Sequence, residues 1–377
     1  MLTQSLWDVY DEIMQDTSRW CYFSELKPSQ TSQDLFTGTN ALEYIKSTYI
    51  IGGKSNVLDI TYDDRFEMTQ YRSNHTLSAY LLGIALRDKL KIDMRELPKI
   101  STHPTKNFLY FWSLTCLYHD FAYYLEEASS AKNSIYRSRL KSLQDFIHYF
   151  QIEYSLLEHS ADRELISNYY DYIINKHKHV DHGIAGAMLF FNAMMKEYHE
   201  ARKESGIKKN DSFVYNGKKF SKDYIKHIVL ISTTIAKHNM WRANPETQVD
   251  FETYNLFELI PKEDDSHKVS IDDSSENDKE KLLFLLGLVD TLEPIKNLGR
   301  DRNKSPLMNP YIVLEKIKIK FDSKNKKVIL YCPQPYKEDY EHSIKGIVDW
   351  MNVGLDISGE VFTISFLSRK ACYRKAA

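Results

Sequence analysis

The run Phe108-Leu-Tyr-Phe-Trp-Ser-Leu-Thr-Cys-Leu-Tyr-His-Asp120 constrains this chain more than any other stretch. It is apolar enough to be buried along its length, yet it ends in an ionisable pair, His119-Asp120. Burying charge without compensation costs several kcal/mol even after relaxation, so the fold must bring a counter-charge to the end of this run. A bound metal ion supplies one. The spacing predicts a helix over 105–126, on which adjacent side chains leave the axis about 100° apart. Both members of the dyad then reach one ion only where the helix wall faces a cavity.

Four further residues stand in comparable places. His75 opens a helical pattern running from Asn74 to Leu86. His182 starts an apolar helix in which Gly183, Ala185, Gly186 and Ala187 permit close backbone approach. His238 ends a predicted helix over 221–238, and Asp290 ends another over 279–290. Side chains at such helix ends converge at the mouth of a helical bundle. Two divalent ions about 3.5–4 Å apart need a bridging carboxylate and several neutral imidazoles. Asp120 is the expected bridge; His75, His119 and Asp290 complete one site, and His182 and His238 serve the other. Each residue also has a plainer reading. The dyad can be a hydrogen-bonded core pair, Asp290 a polar helix boundary, and the two histidines helix caps. Their joint occurrence favours the metal. Asp181 either orients His182 or caps the helix that follows.

The ordered set His75, His119-Asp120, Asp181-His182-Gly183 with Gly186-Ala187, His238 and Asp290 resembles the HD-domain superfamily of metal-dependent phosphohydrolases. The resemblance covers roughly residues 70–300. It implies an HD-type helical bundle holding two divalent metal ions (Mn, Mg, Co, Ni or Fe), with the dyad aspartate bridging them. It also implies hydrolysis of phosphoester or phosphoanhydride bonds by metal-activated water, with Asp120, His182 and His238 as the catalytic residues. The chain departs from the common pattern in two places: the dyad continues Phe121-Ala122-Tyr123-Tyr124, and His238 is followed by Asn239 rather than a second histidine. Lys178, Lys237, Arg300 and Arg302 are the candidate phosphate-binding cations. The sequence has no Gly-rich phosphate loop ending in Lys-Ser/Thr and no serine in a nucleophile elbow, so the expected nucleophile is water.

The same ligand set also looks like that of diiron oxygenases built on this scaffold, and a regulatory protein with a degenerate core is a third reading. The expected substrate is a phosphorylated small molecule (a nucleotide or cyclic nucleotide) or a single-stranded nucleic acid. The 26 tyrosines fit base stacking, though most tyrosines in a helical protein are packing residues.

Outside the ligand set, three segments are expected: a helical extension over 1–70, the metal-binding helical domain over 71–306, and a small α/β module over 307–377. The fold class is mainly α with that C-terminal module. In the module, 311–319, 327–331 and 361–367 read as strands and 337–351 as a helix. The lysines of 316–327 alternate with apolar residues, which suits an edge strand guarded against aggregation better than a backbone-binding ridge. Strand pairing through this module is a route to a homodimer. Asn216-Gly217 marks a hairpin within 210–220, and 261–280 reads as an acidic loop. A formal net charge of −2, from 50 basic and 52 acidic residues, excludes a surface that is basic throughout. The four cysteines are scattered, no basic stretch followed by an apolar core opens the chain, and no run is long enough to span a membrane. A cytoplasmic location is expected.

Overall fold

Ser5 and Asp8 form a reciprocal capping box at the start of the helix Leu6–Met14, which buries Leu6, Val9, Tyr10, Ile13 and Met14 on one face. In the computed structural model, residues 3–22, 36, 40–41, 43–45, 70–95, 97–207, 211–216, 218–262, 268–271, 278–298, 310–334 and 336–367 are described. Gly52-Gly53, Arg300, Arg302 and most of the acidic loop lie outside the described residues. The chain divides into two compact units: residues 1–45, 69–113 and 262–377 form the first, and 46–68 with 114–261 form the second. The architecture is mostly helical, with a small C-terminal sheet. No helix among the described residues is long and apolar enough to cross a membrane.

The first unit is built on the helix Gln70–Leu90. From Arg72 to Leu86 it is buried on every side, so its polar residues must find partners within the protein. Tyr10 and Ser78 share a hydrogen bond of 3.1 Å, Tyr80 donates its hydroxyl proton to the Trp20 carbonyl, and the Trp112 indole donates to the Tyr80 carbonyl at 2.9 Å. Gly83 makes room for that indole. A Cβ there would stand 2.0 Å from the Trp112 ring. Gly287, in the helix Asp278–Leu292, receives the Trp350 ring at an equally close 2.0 Å.

The sheet belongs to this unit and is antiparallel throughout, in the order Gln4–Ser5, Lys318–Asp322, Lys327–Tyr331, Val361–Phe366, Val353–Ser358. Ile319, Phe321, Val328, Leu330, Phe362 and Ile364 alternate onto its buried face. Two expectations are corrected here. Residues 311–316 are helical, in Pro310–Lys316, because Pro310 suits a first helical position and Val313 and Leu314 are buried by that turn. The strand expected at an edge lies second in the sheet, since Gln4 and Ser5 pair with Ile319 and Lys318. The sheet also gains the strand Val353–Ser358, whose outward residues gave it no clear alternation of apolar and polar side chains.

In the second unit the helices His182–Glu204 and Tyr224–Lys237 pack along one another, and the former is buried at every position from 182 to 195. The expected hairpin pairs Phe213–Tyr215 with Lys218–Phe220, and Asn216 takes the positive φ of 47° that the tight turn needs. The dyad helix ends earlier than its periodicity suggests, at Tyr118, and a new helix begins at Tyr123. The amides of Phe121 and Tyr123 bond three residues back, to Tyr118 and Asp120. His119 and Asp120 therefore sit in a tight turn, free of the angular restriction that a continuous helix would impose.

Gly83→Ala is expected to destabilise the protein by about 1–3 kcal/mol, because the added methyl overpacks a site already filled by an indole. Gly354→Ala, whose Cβ would meet nothing nearer than 3.7 Å, serves as its control. Urea unfolding of both variants tests this, and equal midpoints would contradict the packing argument.

Candidate metal centre

The second unit gathers three of the predicted histidines around the Asp120 carboxylate. Asp120 is 2% exposed, and His119, His182 and His238 are buried with it. From Asp120 Oδ1, the Nε2 atoms of His182, His119 and His238 lie at 3.2, 3.6 and 4.0 Å. The His238 ring centroid stands 5.2 Å from those of both His119 and His182.

Local structure explains why each ring points inward. His119 follows the last residue of Pro104–Tyr118, and its Nδ1–H donates to the Cys116 carbonyl at 2.6 Å. His238 caps Tyr224–Lys237, and its Nδ1–H donates to the Ile235 carbonyl at 2.6 Å. Both bonds satisfy a helix-end carbonyl three residues back. A carbonyl only accepts, so Nδ1 carries a proton in both rings, and in the neutral ring Nε2 holds the lone pair. His182 begins its helix and donates from Nδ1 to Glu126 Oε2 at 2.5 Å.

Asp181 caps this helix, accepting from the Ile184 amide at 2.8 Å, and its other oxygen accepts from the Asn239 side chain at 3.0 Å. Of its two expected roles it takes the capping one. The bond to Asn239 also ties His238 to the start of the neighbouring helix. Gly183 completes the fit, for a Cβ there would stand 3.0 Å from the Ile235 carbonyl oxygen and 3.1 Å from the His238 ring.

Charge is concentrated here. Burial disfavours a charged His182, but the Glu126 and Asp120 carboxylates outweigh it and hold the imidazole pKa well above its usual value. Burial likewise pushes the Glu126 carboxyl up, and His182 more than offsets this, bringing it below the ordinary carboxylate range. Two carboxylates flanking one imidazole in a buried place demand positive charge, as a proton or as a metal.

The first unit holds a smaller cluster of the same kind. His75 Nε2 lies 3.2 Å from Asp290 Oδ1, and its Nδ1–H donates to Glu293 Oε2 at 2.7 Å. Glu293 is fully buried and also accepts from the amides of Ile295 and Lys296, each at 2.9 Å. It starts the helix Pro294–Leu298 and orients His75 in one stroke. Lys296 Nζ lies 2.6 and 2.7 Å from the two oxygens of Asp290.

These residues fit a divalent ion. Asp120, His182 and His238 offer donor atoms that all lie within 4.8 Å of one another. Donors bonded to a common ion at about 2.0–2.2 Å lie about 3.0–3.6 Å apart. The 3.2 Å separation of His182 from Asp120 falls in that range, and the 4.0 Å of His238 is slightly wider. Imidazoles oriented through Nδ1, combined with a carboxylate, suit first-row transition metals. Within the second unit, the cluster of Asp120, His182 and His238 is thus suited to metal coordination.

Of the proposed phosphate-binding cations, Lys178 is exposed at a left-handed φ of 65°, and Lys237 is ion-paired with Asp162 at 3.2 Å. Glu126 and Glu293 are the functional residues that sequence reasoning missed. Glu293 had a signal, as Asp290, Glu293 and Lys296 recur at three-residue intervals. Glu126 had none, because its histidine is 56 residues away. Comparison with protein-family models, characterised proteins and solved structures finds no match.

Glu126→Ala and Glu293→Gln are each expected to weaken divalent-ion binding about 10–100-fold, the usual effect of losing a residue that orients a ligand histidine. Titration of the metal-stripped protein by calorimetry measures this. Wild-type affinity in both variants would remove the orienting role.

Proposed function

We propose that the protein is a metal-dependent phosphohydrolase, of phosphodiesterase or nucleotidase type, acting on a nucleotide, a cyclic nucleotide or a single-stranded nucleic acid. The observation that carries this reading is the buried Asp120 carboxylate with three imidazole Nε2 atoms facing it at 3.2–4.0 Å. The order of His75, His119-Asp120, His182, His238 and Asp290 along the chain adds to it, through the resemblance to the HD-domain superfamily. In this proposal two divalent ions share Asp120. His182 and His238 complete one site, and His75, His119 and Asp290 complete the other.

Ions bound there supply Lewis acidity toward a phosphoryl oxygen and a water acidified to near neutrality. The chain's own residues do the rest. Glu126 accepts the His182 Nδ1 proton, raising the basicity of Nε2 and fixing the ring. The Cys116 and Ile235 carbonyls do the same for His119 and His238. Burial of all four ligands keeps bulk water from screening the charges that develop on phosphorus. Lys178, Lys237, Arg300 and Arg302 are proposed to bind substrate phosphate.

The test is metal analysis of the purified protein, followed by assay against nucleotides, cyclic nucleotides, and single-stranded RNA and DNA. Asp120→Asn is expected to lose bound metal and to reduce turnover at least about 10²-fold, as removal of a principal electrostatic group does. Full turnover in that variant would end the proposed role of Asp120. Coupled iron with oxygen consumption and no phosphate or shorter product would replace hydrolysis with oxygenase chemistry.

A further inference from the structure

The stretch from residue 128 to 144 carries Lys132, Arg137, Arg139 and Lys141 and no Asp or Glu, within a chain of net charge −2. Elsewhere on the surface, cations commonly sit on acids: Lys89 on Glu12, Lys176 on Asp250, Lys345 on Glu341. Among the described residues, none of the four cations of this stretch is in an ion pair. Three are exposed, and Arg137 is half-buried.

Two of them, Lys132 and Arg137, line an open cleft of about 750 Å³ together with Asn133, Ser134, Ile135 and Ser138; Arg139 and Lys141 follow in the same segment. Aromatic rings edge the same segment. Tyr136 and Tyr149 meet edge-to-face with centroids 6.0 Å apart, and the Arg139 guanidinium lies over the Tyr149 ring at 6.0 Å. Ile135 is 52% exposed beside them. The nearest acids in sequence, Glu126, Glu127 and Asp145, lie outside the stretch on either side, and Asp171 accepts from the Leu143 amide at 3.1 Å.

We propose that this basic cleft binds the phosphate backbone of a single-stranded nucleic acid. Unneutralised cations on a chain that is otherwise slightly acidic call for a polyanion. An open cleft in a segment that also carries Tyr136 suits a flexible strand whose bases can stack better than a stiff duplex. The cleft lies in the unit that holds the Asp120 cluster. The helix Tyr123–Ser130, whose Glu126 orients His182, directly precedes this stretch in the chain. The binding itself does not depend on the proposed hydrolysis.

The test is fluorescence anisotropy of the full chain with a labelled 20-nucleotide single-stranded DNA or RNA, in a chelator, so that hydrolysis plays no part. Four backbone contacts predict a slope of log affinity against log salt of about −2.8, or about 50-fold weaker binding at 200 mM than at 50 mM salt. Replacing all four cations by Gln is expected to abolish binding, with circular dichroism confirming the fold. The variant Arg137→Lys with Arg139→Lys keeps the charge and is expected to retain most of the affinity. If folding fails in the quadruple variant, the single changes Lys132→Gln and Lys141→Gln at exposed positions are each expected to lower the slope by about 0.7.

Absence of binding at 50 mM salt overturns the proposal, as does undiminished binding in the Gln variants. Tighter binding of duplex, or of vesicles rich in anionic lipid, than of the single strand also overturns it. Loss of hydrolysis in Asp120→Asn with binding intact separates this proposal from the catalytic one.

Discussion

Each candidate ligand imidazole is held by a hydrogen bond from Nδ1, and everything else about the site depends on those bonds. His119 and His238 donate to the carbonyls of Cys116 and Ile235, and His182 and His75 donate to the carboxylates of Glu126 and Glu293. A neutral imidazole with Nδ1 protonated presents a lone pair at Nε2, the atom that faces Asp120 or Asp290. Without those bonds either tautomer is open to each ring. With them the donor atoms are aimed before any ion arrives.

The two kinds of partner follow from where each histidine sits. At a helix C-terminus, carbonyls without intrahelical partners are abundant, and a histidine just past the end reaches the one three residues back. His119 and His238 use this arrangement at the ends of different helices. His182 begins its helix, and His75, expected to open one, lies more than a turn inside Gln70–Leu90; neither has a free helix-end carbonyl three residues back, so both need a carboxylate from another element. That carboxylate must itself be anchored. Glu293 is anchored by two backbone amides, and Glu126 by the charge it shares with His182. Gly183 leaves room for the His238 ring, whose Nε2 lies 4.0 Å from Asp120 Oδ1.

The helical ligand pattern was legible because helix ends leave marks in a sequence. The start of the helix at His182, the end at His238 and the apolar run into Asp290 each follow from periodicity and small residues. The break after Tyr118 was not legible, since Phe121, Ala122 and Leu125 continue the apolar pattern and only backbone bonding reveals the turn. In the C-terminal module, Pro310 carried the helix signal, but the β-branched residues after it read as strand. Glu126 was invisible for a different reason: its role depends on a contact across 56 residues, which no local pattern encodes.

Placing ligands at helix ends also settles a conflict between stability and chemistry. A buried metal site needs donors without competing partners, whereas a stable helix needs its terminal carbonyls satisfied. One side chain at the right offset meets both needs, because imidazole has two nitrogens with opposite roles. The Nδ1–H closes the helix while Nε2 remains a donor to metal. Aspartate or cysteine in the same place can ligate an ion but cannot donate to the carbonyl, so histidine is the residue type these positions demand. The turn at His119-Asp120 extends the economy to neighbours in sequence: the first residue closes the helix, and the second, released from helical geometry, turns its carboxylate toward the three imidazoles.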